Sequence, residues 1–133
     1  MTTILVFFYL IFNLKALKEI IFNLKILCEN CLEPLREKLG KPLYISSGYR
    51  CKQLNTLIGG SKTSSHMVGQ AADIKVKGID TEFLFNEIIG SDIKFDQLIQ
   101  EFDSWVHISC TTKNRNQIMR AIIENGKTKY LLL

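Results

Sequence analysis

The sequence predicts an α+β domain, with N-terminal helices packed on a small, mostly antiparallel sheet. Three observations carry that expectation. Apolar residues recur at three- and four-residue steps through residues 13–39. From residue 71 onward, short apolar runs bounded by turn residues take over, as strands require. Near the C-terminus, Asn125-Gly126 separates two such runs, and this dipeptide is the strongest short-range hairpin signal.

The helical pattern over 13–39 is built from Leu14, Leu17, Ile21, Leu24, Leu27, Cys31, Leu32 and Leu35. Pro34 removes a backbone donor inside it and should kink or restart the helix. Gly40 and then Pro42 end it. "IFNLK" occurs at 11–15 and again at 21–25, a spacing of nearly three helical turns, so it reads as one repeating amphipathic face. "LYIS" (43–46) alternates like a strand, "SGYR" (47–50) reads as a turn, and "CKQLNTLI" (51–58) as a short helix closed by Gly59-Gly60. Residues 59–70 form a loop of small and polar residues, and "AADIKV" (71–76) a strand. "DTEFLFNEII" (80–89) fits a helix with Asp80 as N-cap and Gly90 as its stop. "FDQLIQEF" and "WVHIS" are two strands joined by a tight turn at Asp103-Ser104, and residues 117–133 form the final hairpin.

A chain of 133 residues with 47% hydrophobic and 23% charged residues is one domain able to bury a core without disulfides. The net charge of +4 is mild and fits a solvated surface or a weak preference for polyanions such as an anionic cell wall. No arginine-rich run or aromatic-interleaved basic stripe supports nucleic-acid binding. The cysteines are Cys28, Cys31, Cys51 and Cys110. "CENC" has metal or redox spacing, but it lies inside the helical pattern with no second pair, so structural thiols are expected. The apolar run "ILVFFYLIF" (4–12) is shorter than the about 20 residues a bilayer span needs. It reads as a buried strand or helix start, with a targeting or anchoring segment as the alternative.

Chemistry concentrates in "SSHMVGQAAD" (64–73) and "WVHIS" (105–109), which hold both histidines of the chain, His66 and His107. Gly69 lets the loop fold tightly, and Ala71-Ala72 keep the surroundings open, so His66 and Asp73 can converge. On a strand, His107 and Ser109 share one face while Val106 and Ile108 take the other. Taken singly, each histidine is more often a hydrogen-bonded structural residue. Together His66, Asp73 and His107 form a plausible zinc set, three ligands leaving a fourth position for a water that ionises near pH ~7. A hydrolase also needs a proton-carrying carboxylate. Glu101 would stand opposite His107 if the turn spans 103–105, and Asp103 is the reserve. Arg50 could hold a carboxylate or an oxyanion.

Ser-Gly-Tyr-Arg, Leu-Asn, Gly-Gly-Ser, Ser-x-His-x-x-Gly-x-Ala-x-Asp and Trp-Val-His-Ile-Ser occur in that order. With "FDQLIQEFDSWVHIS" they resemble the M15 zinc peptidases, nearest to the D-Ala-D-Ala carboxypeptidase-like branch of phages and prophages. The resemblance begins near residue 24, which divides the chain into a poorly matched apolar segment (1–23) and a single peptidase-like domain (24–133). It implies the hedgehog/DD-peptidase type of fold and Zn2+ on His66, Asp73 and His107. It also implies Arg50 near the substrate carbonyl or carboxylate, and Ser64 lining the substrate site. Well-studied members place the catalytic acid three residues before the last histidine, where this chain has Ser104. The phage-like branch often has the "QLI-x-E" strand, so the resemblance implies Glu101 as the base, with Asp103 second. The function implied is hydrolysis of peptidoglycan stem peptides at the bacterial wall, by a monomeric, phage-endolysin-like enzyme made in the host cytoplasm, with no membrane span. A zinc- or wall-peptide-binding domain without activity is the alternative.

Overall fold

A computed structural model describes residues 16–133. The apolar run at 4–12 lies outside them. Helix α1 occupies residues 16–27 and continues into a π-helical turn, Cys28–Leu32, before α2, Glu33–Leu39. The restart expected at Pro34 is met in this form. The Glu33 N–H reaches back to Cys28 O, one residue further than in an α-helix, immediately before the proline that opens α2. Leu27, Cys31 and Leu35, one turn apart, are the buried residues of this assembly, and Gly40 closes it.

Strand β1 (Tyr44–Ser47) leads to α3 (Lys52–Leu57), a 3₁₀ turn (Ser65–Val68) and β2 (Ala71–Lys75). Helix α4 (Thr81–Ile89) starts where Asp80 accepts the Phe83 N–H at 2.7 Å, as an N-cap should. Then come β3 (Gln97–Glu101), β4 (Trp105–Ser109), β5 (Gln117–Glu124) and β6 (Lys127–Leu132). Asn125 and Gly126 both take positive φ, 54° and 73°, in the predicted final hairpin.

The six strands form one sheet in the order β1-β2-β4-β3-β5-β6. Every pairing is antiparallel except β3 with β5. That parallel pair follows from the return of the chain beside β3 after β4. Arg115 fixes the return by donating to both carboxylate oxygens of Asp96, at 2.9 and 2.7 Å. One face of the sheet carries Ala72, Ile74, Leu98, Val106 and Ile108, which pack against α2 and α4 through Leu35, Leu84, Phe85 and Ile88. Alternation along each strand sends the neighbouring residues to the other face.

The registers of β1–β4 set what that other face displays. Ser47 opposes Asp73, Asp73 opposes His107, and Ile99 opposes His107. Glu101 opposes Trp105, which corrects the expected pairing of Glu101 with His107. The turn covers residues 102–104 instead of 103–105, with Phe102 and Asp103 at positive φ and the Ser104 N–H bonded to Glu101 O at 2.9 Å. The slip is two residues, so Glu101 stays on the His107 face, as a one-residue slip would not allow.

Candidate metal centre

Asp73 and His107 face each other across β2 and β4, so their approach is a consequence of strand register. His66 comes from the 3₁₀ turn above. Ser64 caps that turn by accepting the His66 N–H at 3.3 Å, so its hydroxyl serves the turn that carries a proposed ligand. Gly69 ends the turn at φ +75°. A Cβ there would lie 2.8 Å from Ile20 O and 3.1 Å from Leu24 Cγ, because α1 runs directly against the loop. Asn23 of α1 also donates to Val68 O at 2.8 Å. Helix α1 therefore supports the loop that presents His66.

Three donor atoms meet. His66 Nε2 is 3.2 Å from Asp73 Oδ1 and 3.2 Å from His107 Nδ1, and His107 Nδ1 is 3.0 Å from Asp73 Oδ1. All three residues are buried. His66 Nδ1 faces Gly48 O at 2.8 Å, and a carbonyl can only accept, so the ring proton sits on Nδ1. In the neutral ring, Nε2 then holds a bare lone pair aimed at Asp73 and His107. As hydrogen-bonding groups, the three can be satisfied by one proton on His107 Nδ1, shared between Asp73 Oδ1 and His66 Nε2. They can also all bind one cation. Zinc–ligand distances near 2.1 Å in a tetrahedron give ligand–ligand edges of about 3.4 Å, close to the triangle present here. The residues fit such an ion, and they form the group among the described residues whose donor atoms converge this way.

Burial acts to raise the Asp73 carboxyl, but its polar contacts with His107 and His66, and the positive charge those rings carry when protonated, outweigh it and hold it at about 2. Its second oxygen, Oδ2, lies 3.8 Å from Arg50 Nη2. Arg50 is itself clamped. Nη2 donates to Ser47 Oγ at 3.1 Å and Nη1 to Asn55 Oδ1 at 3.0 Å. Asn55 is buried and spends its other end on Ser61 O at 2.8 Å. Gly60 lies against this amide so closely that any Cβ would overlap it. Asn55 and Gly60 belong to the quoted Leu-Asn and Gly-Gly-Ser motifs, yet the sequence gives them no role. Nothing local reveals that they brace an arginine.

Glu101 lies on the same face as His107, one diagonal step away, about 7–8 Å by strand geometry. Its carboxylate is not among the converging donor atoms, a position that suits a carboxylate acting through a water. Burial pushes the Glu101 carboxyl up, the nearby Asp73 charge adds to this, and the His107 and His66 charges oppose it. The Trp105 indole N–H also opposes the shift. Nε1 nevertheless makes no hydrogen bond of proper geometry, and it is the one buried side-chain donor left unpaired among the described residues. Asp103 is placed elsewhere. Its carboxylate accepts from Gln100 Nε2, and Gln100 also bonds Glu82 of α4, on the opposite face of the sheet. Ser104 is exposed in the turn and donates to Phe102 O at 3.1 Å. The cysteines take no part: Cys31 and Cys110 are buried, and Cys28 and Cys51 are exposed.

A buried His–Asp–His donor set, with a carboxylate of raised affinity for protons on the same face and a fixed guanidinium beside it, is an arrangement that suits a metal-dependent hydrolase. The family model described as Peptidase M15 matches residues 9–109, most of the chain, and the chain belongs to that family. Its members are metallopeptidases, and their substrate is a peptide. Comparison with curated proteins returned no match. No helix among the described residues is long and apolar enough to cross a membrane.

Proposed function

We propose that the chain is a zinc-dependent peptidase that hydrolyses peptidoglycan stem peptides, as a D,D-carboxypeptidase or endopeptidase of endolysin type acting at the bacterial wall. The observation that carries this reading is the triangle of His66 Nε2, Asp73 Oδ1 and His107 Nδ1, with edges of 3.0–3.2 Å. His66, Asp73 and His107 would hold zinc. The bound ion supplies Lewis acidity at its free position.

The remaining work falls to the chain's own groups. Glu101 takes the proton of the attacking water and returns it to the leaving amine. Its raised proton affinity brings it nearer the working pH, which favours transfer in both directions. Arg50, held by Ser47 and Asn55, presents a fixed positive charge to the carbonyl oxygen as negative charge develops there. A pre-oriented guanidinium needs no rearrangement at that moment. The mild positive charge of the chain suits an anionic wall.

The test pairs metal analysis by mass spectrometry with digestion of purified peptidoglycan by wild type and Glu101→Gln. One zinc per chain in both proteins, product from wild type, and a rate about 10²–10⁴-fold lower for Glu101→Gln are expected. Zinc in both with product from neither would make the chain a binding module. Full activity in Glu101→Gln would remove Glu101 from the chemistry.

A further inference from the structure

Within the peptidase reading, we propose that Tyr130 is a substrate-binding residue, its hydroxyl donating a hydrogen bond to a carbonyl oxygen of the bound peptide on the side of Glu101 away from Arg50. The sheet register brings it there. Trp105 opposes Glu101, Glu101 pairs with Ala121, and Ala121 opposes Tyr130. These four residues form one row across β4, β3, β5 and β6 on the face that carries the metal cluster. Ala121 puts nothing larger than a methyl group between Glu101 and Tyr130, two strand spacings or about 10 Å apart at the backbone. Tyr130 thus stands in the same row and on the same face as Glu101, with one small residue between them. The residue is still 55% exposed, so a ligand can meet it.

Burial and the carboxylates of Glu101 and Asp73 raise the Tyr130 hydroxyl's proton affinity, so the group is neutral and acts as a donor across the working pH range. Its partner must be an acceptor. A substrate carboxylate would face two negative charges there, whereas a neutral carbonyl meets no such penalty. The fixed cation, Arg50, stands at the other end of the row of strands, past β2. From β4 to β6 is three strand spacings, about 14 Å, or about four residues of extended peptide. The carbonyl that Tyr130 reaches therefore lies a few residues from the bond that is cut. Tyr130 would thus reward a substrate that continues beyond the reacting dipeptide.

The experiment measures kcat and KM on a synthetic stem pentapeptide for wild type, Tyr130→Phe and Tyr130→Ala. The Kd of the same peptide is measured on zinc-loaded Glu101→Gln with and without Tyr130→Phe. Losing the hydroxyl should raise KM and Kd about tenfold. It should leave kcat within about twofold and the melting temperature and zinc content unchanged. Tyr130→Ala should do no less harm than Tyr130→Phe. Unchanged KM and Kd in Tyr130→Phe would overturn the assignment, as would a fall in kcat alone, which would put the hydroxyl in the chemical step. Loss in Tyr130→Ala but not in Tyr130→Phe would reduce the residue to a packing surface and overturn it too. A wild type that neither cleaves nor binds the peptide would overturn the peptidase reading itself. A wild type that cleaves while Tyr130→Phe matches it overturns the Tyr130 assignment alone.

Discussion

Adding one methyl group at Gly60 should disable the arginine clamp. A Cβ at this position would overlap Asn55 Oδ1 and come within 2.8 Å of Asn55 Cγ and 3.0 Å of Arg50 Nη1. The Asn55 amide is buried and cannot yield without breaking bonds at both ends. Its oxygen accepts from Arg50 and its nitrogen donates to Ser61 O. A hydrogen bond to a charged group contributes about 1.5–3 kcal/mol and a neutral one about 1 kcal/mol. Gly60→Ala should therefore cost about 2–4 kcal/mol, with the upper end reached if both bonds are lost. A domain of this size, stable by roughly 5–15 kcal/mol, would still fold. Arg50 would keep its charge but lose an orienting acceptor, and kcat/KM on a wall peptide should drop about 10²-fold. Urea unfolding and steady-state kinetics measure the two effects. Asn55→Ala provides the control, since it removes the amide and leaves room for the methyl. Gly60→Ala made on that background should add less than about 0.5 kcal/mol. If the glycine substitution alone is silent, or if its full cost survives in the absence of Asn55, the clamp does not work as described.

Gly69→Ala meets two obstacles, a left-handed φ of +75° and the carbonyl of Ile20 at 2.8 Å. A loss of about 2–4 kcal/mol in urea is expected, together with weaker zinc binding by calorimetry because the His66 loop is pushed off α1. A stability change below about 0.5 kcal/mol would contradict the packing. Acidity should act in two opposite ways. In chain freed of metal, Asp73 is held at about 2, below the ordinary carboxylate value, so its contribution is fully present above that value and is lost as pH falls towards about 2. Chemical unfolding at a series of pH values should show this loss, of about 2 kcal/mol, and Asp73→Asn should flatten it. Glu101 is shifted upward, so its contribution to stability is present at low pH and declines as pH rises through its folded value. On the proposed mechanism the ionised Glu101 does the work, so kcat/KM should fall on the acid side as this carboxylate takes up a proton, and a rate that does not fall there would argue for another base.

Much of the fold was legible along the chain because local signals carried it. The Asp80 cap, the Gly40 stop, the proline restart and the Asn125-Gly126 turn each act within a few residues. The convergence of His66, Asp73 and His107 was legible for a different reason. With two histidines in the chain and one aspartate seven residues after the first, few combinations exist. Nothing short-range announced that β5 would run parallel beside β3, since that pairing is decided by where the Asp96–Arg115 contact returns the chain. The same holds for α1. Its periodicity marks a buried stripe, but not that its backbone is the surface against which Gly69 must fit.

The sequence by itself determined the element types, the antiparallel character of most of the sheet, and which three side chains were candidates to converge, because periodicity, caps and scarce residue types are properties of neighbours in the chain. Tertiary structure decided the rest. Register, set by a turn over residues 102–104, put Glu101 diagonal to His107 and aligned it with Trp105, Ala121 and Tyr130. Packing between α3 and the following loop fixed Arg50 through Asn55 and Gly60. Such relations depend on distances between segments far apart in sequence, and those distances exist only once the sheet has closed.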